Sequence, residues 1–233
     1  MTVCALAATT PGGWVFVCGP SGAGKDTLLR WVDARLADLR GDRLANSLSR
    51  RGAAAVAPVV MAQRVITRPV HDSSPHAHCT QAEFDAQLAG GGFAMHWSAH
   101  GVHYGIASHY AAAVATGAWV VVNGSRAHVR GLLQAFEQSR PTTRAICQTQ
   151  IRLVLVTAPA AVLAQRLADR GREDERDVHA RLTRNADEDA AALVPDCTIV
   201  NDGEVAVAGG ALLDYLLKLT ASAQETSRSS GSQ

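Results

Sequence analysis

The sequence predicts an α/β fold in which helices flank a parallel central sheet. Short apolar runs typical of buried strands alternate with segments of helical periodicity, and the runs lie at 14–18, 118–124, 151–159 and 197–203. The first run ends in the glycine-rich stretch GPSGAGK, residues 19–25, and a helical pattern follows directly. Such alternation is typical of a parallel sheet, and a glycine-rich turn between strand and helix is typical of phosphate binding.

The composition indicates a globular chain without an extended charged surface. Of the 233 residues, 47% are hydrophobic, which is enough for one sizeable core. The formal net charge of +1 argues against a broad nucleic-acid surface. The apolar runs fall short of the ~18 residues that a membrane helix needs. Five scattered cysteines without a C-x-x-C pair, and a start without a basic segment, favour a reduced, cytoplasmic location.

Periodicity and end signals predict the remaining elements. Helical patterns cover residues 25–39, 80–91, 109–117, 158–171 and 207–219. A further strand is expected within 56–66, and a hairpin around Gly101 within 93–107. Gly41 ends the first helix, Thr80 with Glu83 forms a capping box at the second, and Pro159 lies near the first turn of the fourth.

We expect one domain over residues 14–219, preceded by an N-terminal segment, 1–13. The small polar residues of the tail, 220–233, predict disorder. Residues 42–55 have no strong pattern and fit an insertion or a short helix. Residues 70–80 form a polar, histidine-rich loop whose HAHC stretch suggests zinc. No second pair of ligands completes a four-ligand site, so plain polar loop residues are the favoured interpretation.

The loop at 19–25 is the strongest functional signal. It fits G-x-x-x-x-G-K, whose backbone N–H groups and following helix N-terminus surround the phosphates of ATP. The lysine of this pattern reaches the outer phosphates. The alternative is a glycine-rich turn that binds nothing, which the strand before it and the helix after it disfavour. The expected nucleotide-binding residues here are Gly19, Pro20, Ser21, Gly22, Ala23, Gly24, Lys25, Asp26 and Thr27.

Asp26 departs from this pattern, which places Ser or Thr after the lysine to hold Mg²⁺. A carboxylate can itself ligate Mg²⁺, directly or through water. Its negative charge is tolerable beside polyphosphate only with the metal or with arginines nearby. Alternatively, Asp26 only caps the helix, where acids are favoured, and Thr27 supplies the hydroxyl. The residues favour a role for Asp26 that is linked to Mg²⁺.

Further motifs resemble the guanylate kinases. In chain order these are GPSGAGK, TRP, EF, HGVHYG, RLADRGR and IVND, which span most of residues 14–217. The variant letters in GPSGAGKD, VITRP, VNGSRAH and RLADRGRE are more similar to one branch, the ribose 1,5-bisphosphate phosphokinases of phosphonate utilisation. The resemblance implies a P-loop kinase fold with a small acceptor-binding subdomain at about 64–107 and an arginine-rich lid at about 166–184.

Two departures from the guanylate kinases concern the acceptor. Met95 stands where that family has the acid that reads the guanine edge, and a thioether cannot usefully accept such hydrogen bonds. An aspartate-rich stretch after the middle strand is replaced by Asn123-Gly124-Ser125-Arg126. An acidic, base-reading pocket thus becomes neutral to basic, which favours a smaller and more anionic acceptor.

The resemblance also implies which residues bind the acceptor. Arg68 matches an arginine that clamps the acceptor phosphate, for which the planar guanidinium is suited. Tyr104 matches a tyrosine that contacts this phosphate, with a core aromatic as an equal alternative. Arg126 has no counterpart in guanylate kinases and is expected to hold the second phosphate rather than lie on the surface. The other expected contacts are His76, Asn123 and Ser125, with His128 beside them.

Six arginines lie within residues 165–184. Mixed charge at this density usually means a solvated helix, but the stretch DRGRED resembles the family's lid, whose arginines stabilise the charge that spreads during transfer. The catalytic residues implied in this way are Lys25, Arg166, Arg170, Arg172 and Arg181. Asn201 and Asp202 resemble the loop beside the adenine, with an ordinary tight turn as the alternative.

The implied reaction is the ATP-dependent phosphorylation of ribose 1,5-bisphosphate to 5-phosphoribosyl 1-diphosphate, with Mg²⁺ as cofactor. The acceptor phosphate is already ionised near neutral pH, so no strong general base is required. A guanylate kinase or another nucleoside monophosphate kinase is the alternative. A non-catalytic interaction domain of the same fold is a third, which the intact Lys25 disfavours. The expected partners are the sugar phosphate and ATP, with neither nucleic acid nor membrane.

Overall fold

Five parallel strands form the central sheet of the computed structural model, which describes residues 12–47, 58–68, 76–99, 101–137, 151–169 and 193–229. In chain order the strands of this sheet are Gly13–Cys18 (β1), Val59–Met61 (β2), Trp119–Asn123 (β7), Ile151–Thr157 (β8) and Cys197–Val200 (β9). Their spatial order is β2-β7-β1-β8-β9, and every neighbouring pair is parallel. The predicted α/β fold with a parallel central sheet is therefore confirmed.

The register brings the carboxyl ends of the strands to one edge of the sheet. Val17 of β1 pairs with Asn123, the last residue of β7, and Thr157 of β8 pairs with Val200, the last residue of β9. The loops that follow β1, β7 and β9 consequently leave the sheet at the same edge. In open α/β sheets this edge is where ligands bind.

Alternate residues of β1 pack into two separate apolar clusters. Val15 and Val17 are fully buried against helices Lys25–Ser47 (α1) and Val205–Ser229 (α6), which supply Leu28, Val32, Leu36, Leu212 and Leu216 to that cluster. Phe16 and Cys18 point to the opposite face, where the cluster includes Trp97, Ile106 and Val129. This alternation follows from the period of two in a strand, and burial on both faces explains the continuous apolar run.

A second sheet occupies residues 64–107. Its strands are Arg64–Ile66 (β3), Ala77–His78 (β4), Phe93–Ala99 (β5) and Val102–Ala107 (β6), in the order β4-β3-β6-β5. The strands β5 and β6 form the predicted hairpin, and Gly101 between them has φ of +71°, which a glycine adopts at no steric cost. This sheet spans the same residues as the predicted acceptor-binding subdomain, whose role stays a prediction.

The other described helices are Gln81–Ala89 (α2), His109–Ala115 (α3), Arg126–Glu137 (α4) and Ala160–Ala168 (α5). Thr80 caps α2 as predicted, because its hydroxyl accepts from the N–H of Glu83 and its own N–H donates to the Glu83 carboxylate. Pro159 is the N-cap residue of α5, directly before its first turn. Within the described ranges, every helix is too short or too polar to cross a lipid bilayer.

Three boundaries differ from those predicted. Gly41 does not end α1, because its backbone is not left-handed and the next six residues continue the helix. The strand expected within 56–66 is present as two strands, since β2 pairs with β7 and β3 pairs with β6. Helix α6 continues to Ser229, through residues 220–229, whereas the predicted closing helix ends at residue 219. That stretch contains no glycine or proline to stop the helix.

Candidate functional site

The loop between β1 and α1 is folded tightly against neighbouring elements. Gly19, Gly22 and Gly24 have φ values of +148°, +87° and +80°, which residues with a side chain rarely adopt. A Cβ atom at Gly19 would lie 1.9 Å from the carbonyl oxygen of Val156 in β8. One at Gly24 would lie 2.5 Å from Nδ2 of Asn201. The glycines of the predicted phosphate loop are thus required by its conformation, with Ser21 half-buried and Ala23 buried between them.

Lys25, the first residue of α1, folds back across this loop. Its Nζ donates to the carbonyl oxygens of Gly19 at 2.7 Å and Pro20 at 2.9 Å. Burial lowers the pKa of Lys25 to about 8, which the carboxylate of Asp26 opposes and the positive charges of Arg64 and Arg126 increase. The ammonium group is held where the phosphate-loop pattern requires it, in a setting that an anion would stabilise.

Asp26 is connected to two other elements. Its Oδ1 accepts from Nδ2 of Asn123 at 2.5 Å and lies 4.0 Å from Nε2 of His76. Its side chain keeps 45% of its surface exposed, so the carboxylate is accessible to a ligand. The adjacent Thr27 is exposed on α1. The structure therefore brings together three of the predicted residues, Asp26, Asn123 and His76, from three separate segments of the chain.

His76 lies between cationic and acidic groups. Nη2 of Arg64 is 2.9 Å from Nε2 of His76, and a guanidinium can only donate, so Nε2 is the acceptor. Burial lowers the pKa of His76 to about 4, with the charge of Arg64 acting in the same direction and that of Asp26 against it. His76 is consequently neutral at pH 7.

The predicted acceptor residues on the second sheet are in different settings. Arg68 is exposed just after β3, and its charge contributes to lowering the pKa of His76, after burial, Arg64 and His78. Tyr104 of β6 is half-buried and stacks on Trp97 of β5, with ring centroids 5.3 Å apart and planes 10° from parallel. Met95, also on β5, packs against the apolar cluster of Phe16 and Cys18. The thioether of Met95 is therefore in apolar surroundings, where the guanylate kinases have the acid that reads the guanine edge.

The segment after β7 leads directly into α4. Asn123 ends β7 and is 7% exposed, and Ser125 is half-buried with its carbonyl accepting from the N–H of Val129. Arg126 starts α4 and is 6% exposed, and its charge acts on Lys25. The alternative of a surface arginine is therefore wrong. His128 stacks on Trp97 with centroids 4.4 Å apart, which places it within the aromatic packing rather than in the cleft.

The loop after β9 contacts the phosphate loop. Asn201 is 4% exposed, and its Nδ2 donates to the carbonyl oxygen of Ala23 at 2.8 Å. Nη1 of Arg166, on α5, donates to the backbone oxygen of Asn201 at 2.8 Å and lies 3.8 Å from the Cβ position of Gly24. Asp202 is exposed. The remaining predicted lid residues lie outside the described residues: Arg170, Arg172 and Arg181.

A cleft with a volume of about 270 Å³ opens between α1, the end of β7 and the start of β3. Its lining includes the predicted residues Asp26, His76 and Asn123 together with Leu29, Arg30, Asp33, Met61, Ala62, Gln63, Arg64 and Val121. Arg64 is a site residue that the sequence analysis missed. The alternation of β3, which puts Arg64 on the same face as the buried Ile66, was the signal that could have found it.

Comparison with known proteins identifies the family. No family model matches the chain. It is 37% identical over 216 residues to "Ribose 1,5-bisphosphate phosphokinase PhnN" of Desulfomicrobium baculatum, covering 91% of this chain and 98% of that protein. The namesake of Thiobacillus denitrificans is 37% identical, covering 91% and 96%. The chain belongs to the ribose 1,5-bisphosphate phosphokinase family.

Two further comparisons concern length and fold. The family member of Laribacter hongkongensis is 39% identical over 89% of this chain, but the chain spans only 43% of that longer protein. Among solved structures, guanylate kinase of Anaplasma phagocytophilum matches with a TM-score of 0.58 at 14% identity, covering 91% of this chain and 87% of that one. This likeness shows the guanylate-kinase-like fold and nothing further.

Proposed function

We propose that this chain transfers the γ-phosphoryl group of ATP to ribose 1,5-bisphosphate, giving 5-phosphoribosyl 1-diphosphate and ADP. Its relatives are named for that phosphokinase activity. The observation that carries the proposal is the contact of Asp26 with Asn123, one residue from the phosphate-loop lysine, in a cleft lined by Arg64 and His76. This arrangement joins the nucleotide side of the site to the acceptor side.

On the nucleotide side, the chain would hold ATP by the loop of residues 19–24 and by Lys25. The ammonium of Lys25 is already positioned across the loop, where it would contact the outer phosphates. Arg166 lies over the same loop and would reach these phosphates as part of the lid. The proposed lid residues Arg170, Arg172 and Arg181 would add charge there. The buried Asn201 supports the loop from beneath, and Asp202 is proposed to lie nearer the adenine.

Mg²⁺ is part of the proposal, and Asp26 would hold it directly or through water. Among the described residues, no group of three or more His, Cys, Asp and Glu side chains could form a metal site. Mg²⁺ does not need one, because it is commonly bound by one or two carboxylates, substrate phosphates and water. The half-exposed carboxylate of Asp26 fits that donor set. The ion would neutralise charge on the transferred phosphoryl group.

On the acceptor side, the site suits a substrate with more negative charge than a nucleoside monophosphate. Arg68, Arg126 and His76 are proposed to bind the sugar phosphate, with Tyr104, Asn123 and Ser125 completing the site. An ionised phosphate oxygen attacks without a general base, so positioning and charge neutralisation would supply the rate enhancement. Cytoplasmic location and a place in phosphonate utilisation belong to the same proposal.

The test is product identification by ³¹P NMR. Purified protein with ATP, Mg²⁺ and ribose 1,5-bisphosphate is expected to give ADP and the coupled diphosphate signals of 5-phosphoribosyl 1-diphosphate. Lys25→Met should abolish both, which controls for a contaminating kinase. Absence of the diphosphate product, with GMP converted to GDP instead, would show that the chain is a guanylate kinase.

A further inference from the structure

Arg64 is a half-buried cation whose hydrogen bonding is incomplete. Its Nη2 donates to His76, and its Cζ lies 5.4 Å from the centroid of the Tyr104 ring. Its Nε is buried and has no hydrogen-bond partner among the described residues. Within the same part of the chain, Arg64 forms no ion pair with a carboxylate. A buried N–H group of a charged side chain that lacks a partner is costly unless a ligand supplies an acceptor.

The charges around Arg64 point to an anion as that ligand. The positive charges of Arg64 and Arg126 act on Lys25, and that of Arg68 acts on Arg64. Asp26 is the carboxylate that acts on both Lys25 and Arg64. Among these described residues, the positive charges outnumber the carboxylate. A phosphate group in the cleft would relieve this excess, and a guanidinium can bind it through two N–H groups.

The position of Arg64 is fixed by aromatic packing. Beneath the guanidinium, the ring of Tyr104 stacks on Trp97, and Trp97 stacks on His128 of α4. His128 in turn contacts the edge of Phe16 in β1. These rings connect the second sheet to β1, the strand that precedes the phosphate loop, and Arg64 packs on the ring at their end. A contact that is organised before binding loses little side-chain entropy on binding.

We propose that Arg64 binds the acceptor phosphate that receives the γ-phosphoryl group, with His76 holding the guanidinium in place. This assignment rests on the proposed function. Arg64 lines the cleft together with Asp26 and Asn123, and Asp26 directly follows Lys25 in the chain. Arg64 is therefore close to the end of the site where transfer occurs, rather than to the far phosphate of the sugar.

Arg64 forms no covalent bond and exchanges no proton in the phosphoryl transfer. An ionised oxygen of the acceptor phosphate forms the new bond to the γ-phosphorus. The bond from that phosphorus to the bridging oxygen of the β-phosphate breaks, and ADP leaves with the bonding pair. No proton moves to or from the protein. Arg64 would neutralise the attacking phosphate and so reduce its repulsion from the γ-phosphate.

Steady-state kinetics of Arg64→Gln and Arg64→Lys test the assignment. We expect kcat/KM for the acceptor to fall roughly 30-fold or more in Arg64→Gln, because a buried charged contact is lost. The KM for ATP should change by less than about twofold. Arg64→Lys should lose roughly tenfold, since it keeps the charge but not the planar fork. The matched control is Arg35→Gln, an exposed arginine of α1, which should behave as wild type.

A wild-type kcat/KM for the acceptor in folded Arg64→Gln would overturn the proposal. If Arg64→Gln does not fold, a wild-type value in Arg64→Lys would overturn it equally. If wild-type protein does not phosphorylate ribose 1,5-bisphosphate at all, the proposed function fails, but the anion site is still testable. With ADP saturating the phosphate loop, inorganic phosphate should raise the Tm of wild type and Arg35→Gln but not that of Arg64→Gln. Equal rises in all three would contradict the site.

Discussion

At the scale of single residues, Asp26 is a phosphate-loop residue that contacts other segments of the site, at Asn123 and His76. Its carboxylate accepts a short hydrogen bond from Asn123 on another strand, so its role extends beyond the first turn of its own helix. The phosphate-loop motif predicted Lys25 and Asp26 as site residues, and the resemblance to the guanylate-kinase-like family implied Asn123 and His76. Arg64 was not predicted, since its importance arises from what surrounds it in space.

Asp26→Asn separates a role linked to Mg²⁺ from a helix cap. Asn keeps the shape of the side chain and an oxygen that can accept from Asn123, so Tm should change little. We expect kcat to fall by roughly 100-fold and the Mg²⁺ concentration for half-maximal rate to rise, since a charged ligand is lost. The measurement is kcat as a function of Mg²⁺ concentration.

Asp38→Asn is the control for this experiment, because Asp38 is an exposed carboxylate on the same helix that pairs with the exposed Arg35. It should leave kcat and Mg²⁺ dependence unchanged. If Asp26→Asn behaved in the same way, Asp26 would be a helix cap and nothing more.

At the scale of elements, the phosphate loop is supported by the loop after β9. Asn201 bonds Ala23 through its side chain and Arg166 through its backbone oxygen. The resemblance to the kinase family implied that Asn201 and Asp202 both lie beside the adenine. Burial distinguishes them, because Asn201 is inside and Asp202 is exposed.

Asn201→Ala should destabilise the protein and weaken ATP binding. The buried oxygen of Ala23 would lose its side-chain donor, at a cost of about 1–3 kcal/mol in the free energy of unfolding. Urea unfolding and calorimetric ATP titration are the measurements. Asp202→Ala should leave the free energy of unfolding within about 0.5 kcal/mol of wild type. Similar stability losses in both variants would contradict a specific role for Asn201.

The stacking of His128 in α4 on Trp97 is a contact that depends on pH. Burial lowers the pKa of His128 from 6.5 to about 4, and the charge of His96 acts in the same direction. His128 is therefore neutral when folded, and its contribution to stability is complete above pH 6.5 and lost as pH falls through 4. Its Nε2 is buried without a hydrogen-bond partner among the described residues.

His128→Phe should make stability less sensitive to acid. Phenylalanine keeps the stacking on Trp97 but cannot take up a proton, so the decrease in Tm between pH 7 and pH 4.5 should be smaller than in wild type. The exposed His109 provides the control variant His109→Asn, whose decrease should match that of wild type. An equally steep decrease in His128→Phe would show that His128 does not contribute to the pH dependence.

Element boundaries were the part of the fold that sequence patterns predicted least well. A glycine ends a helix when its backbone is left-handed. The backbone of Gly41 is not left-handed, and α1 continues through it to Ser47. The run 56–66 serves two sheets, which depends on strand pairing far along the chain and not on its own letters.

At the scale of the whole molecule, the central sheet was predictable because each of its main strands is a continuous apolar run. A strand that is buried on both faces needs apolar residues at successive positions. In β1, Val15 and Val17 pack on one face of the sheet and Phe16 packs on the other. The position of the second sheet against the cleft was not predictable in this way. It depends on contacts such as the stacking of Trp97 on His128, which join distant segments.

The central claim is that this fold phosphorylates a bisphosphorylated sugar and not a nucleoside monophosphate. The most direct measurement is a competition in one reaction, with limiting ATP and Mg²⁺ and equal concentrations of ribose 1,5-bisphosphate and GMP. We expect 5-phosphoribosyl 1-diphosphate to account for nearly all of the phosphoryl groups transferred, because the site is cationic and Met95 cannot read a guanine edge. Predominant formation of GDP would contradict the account.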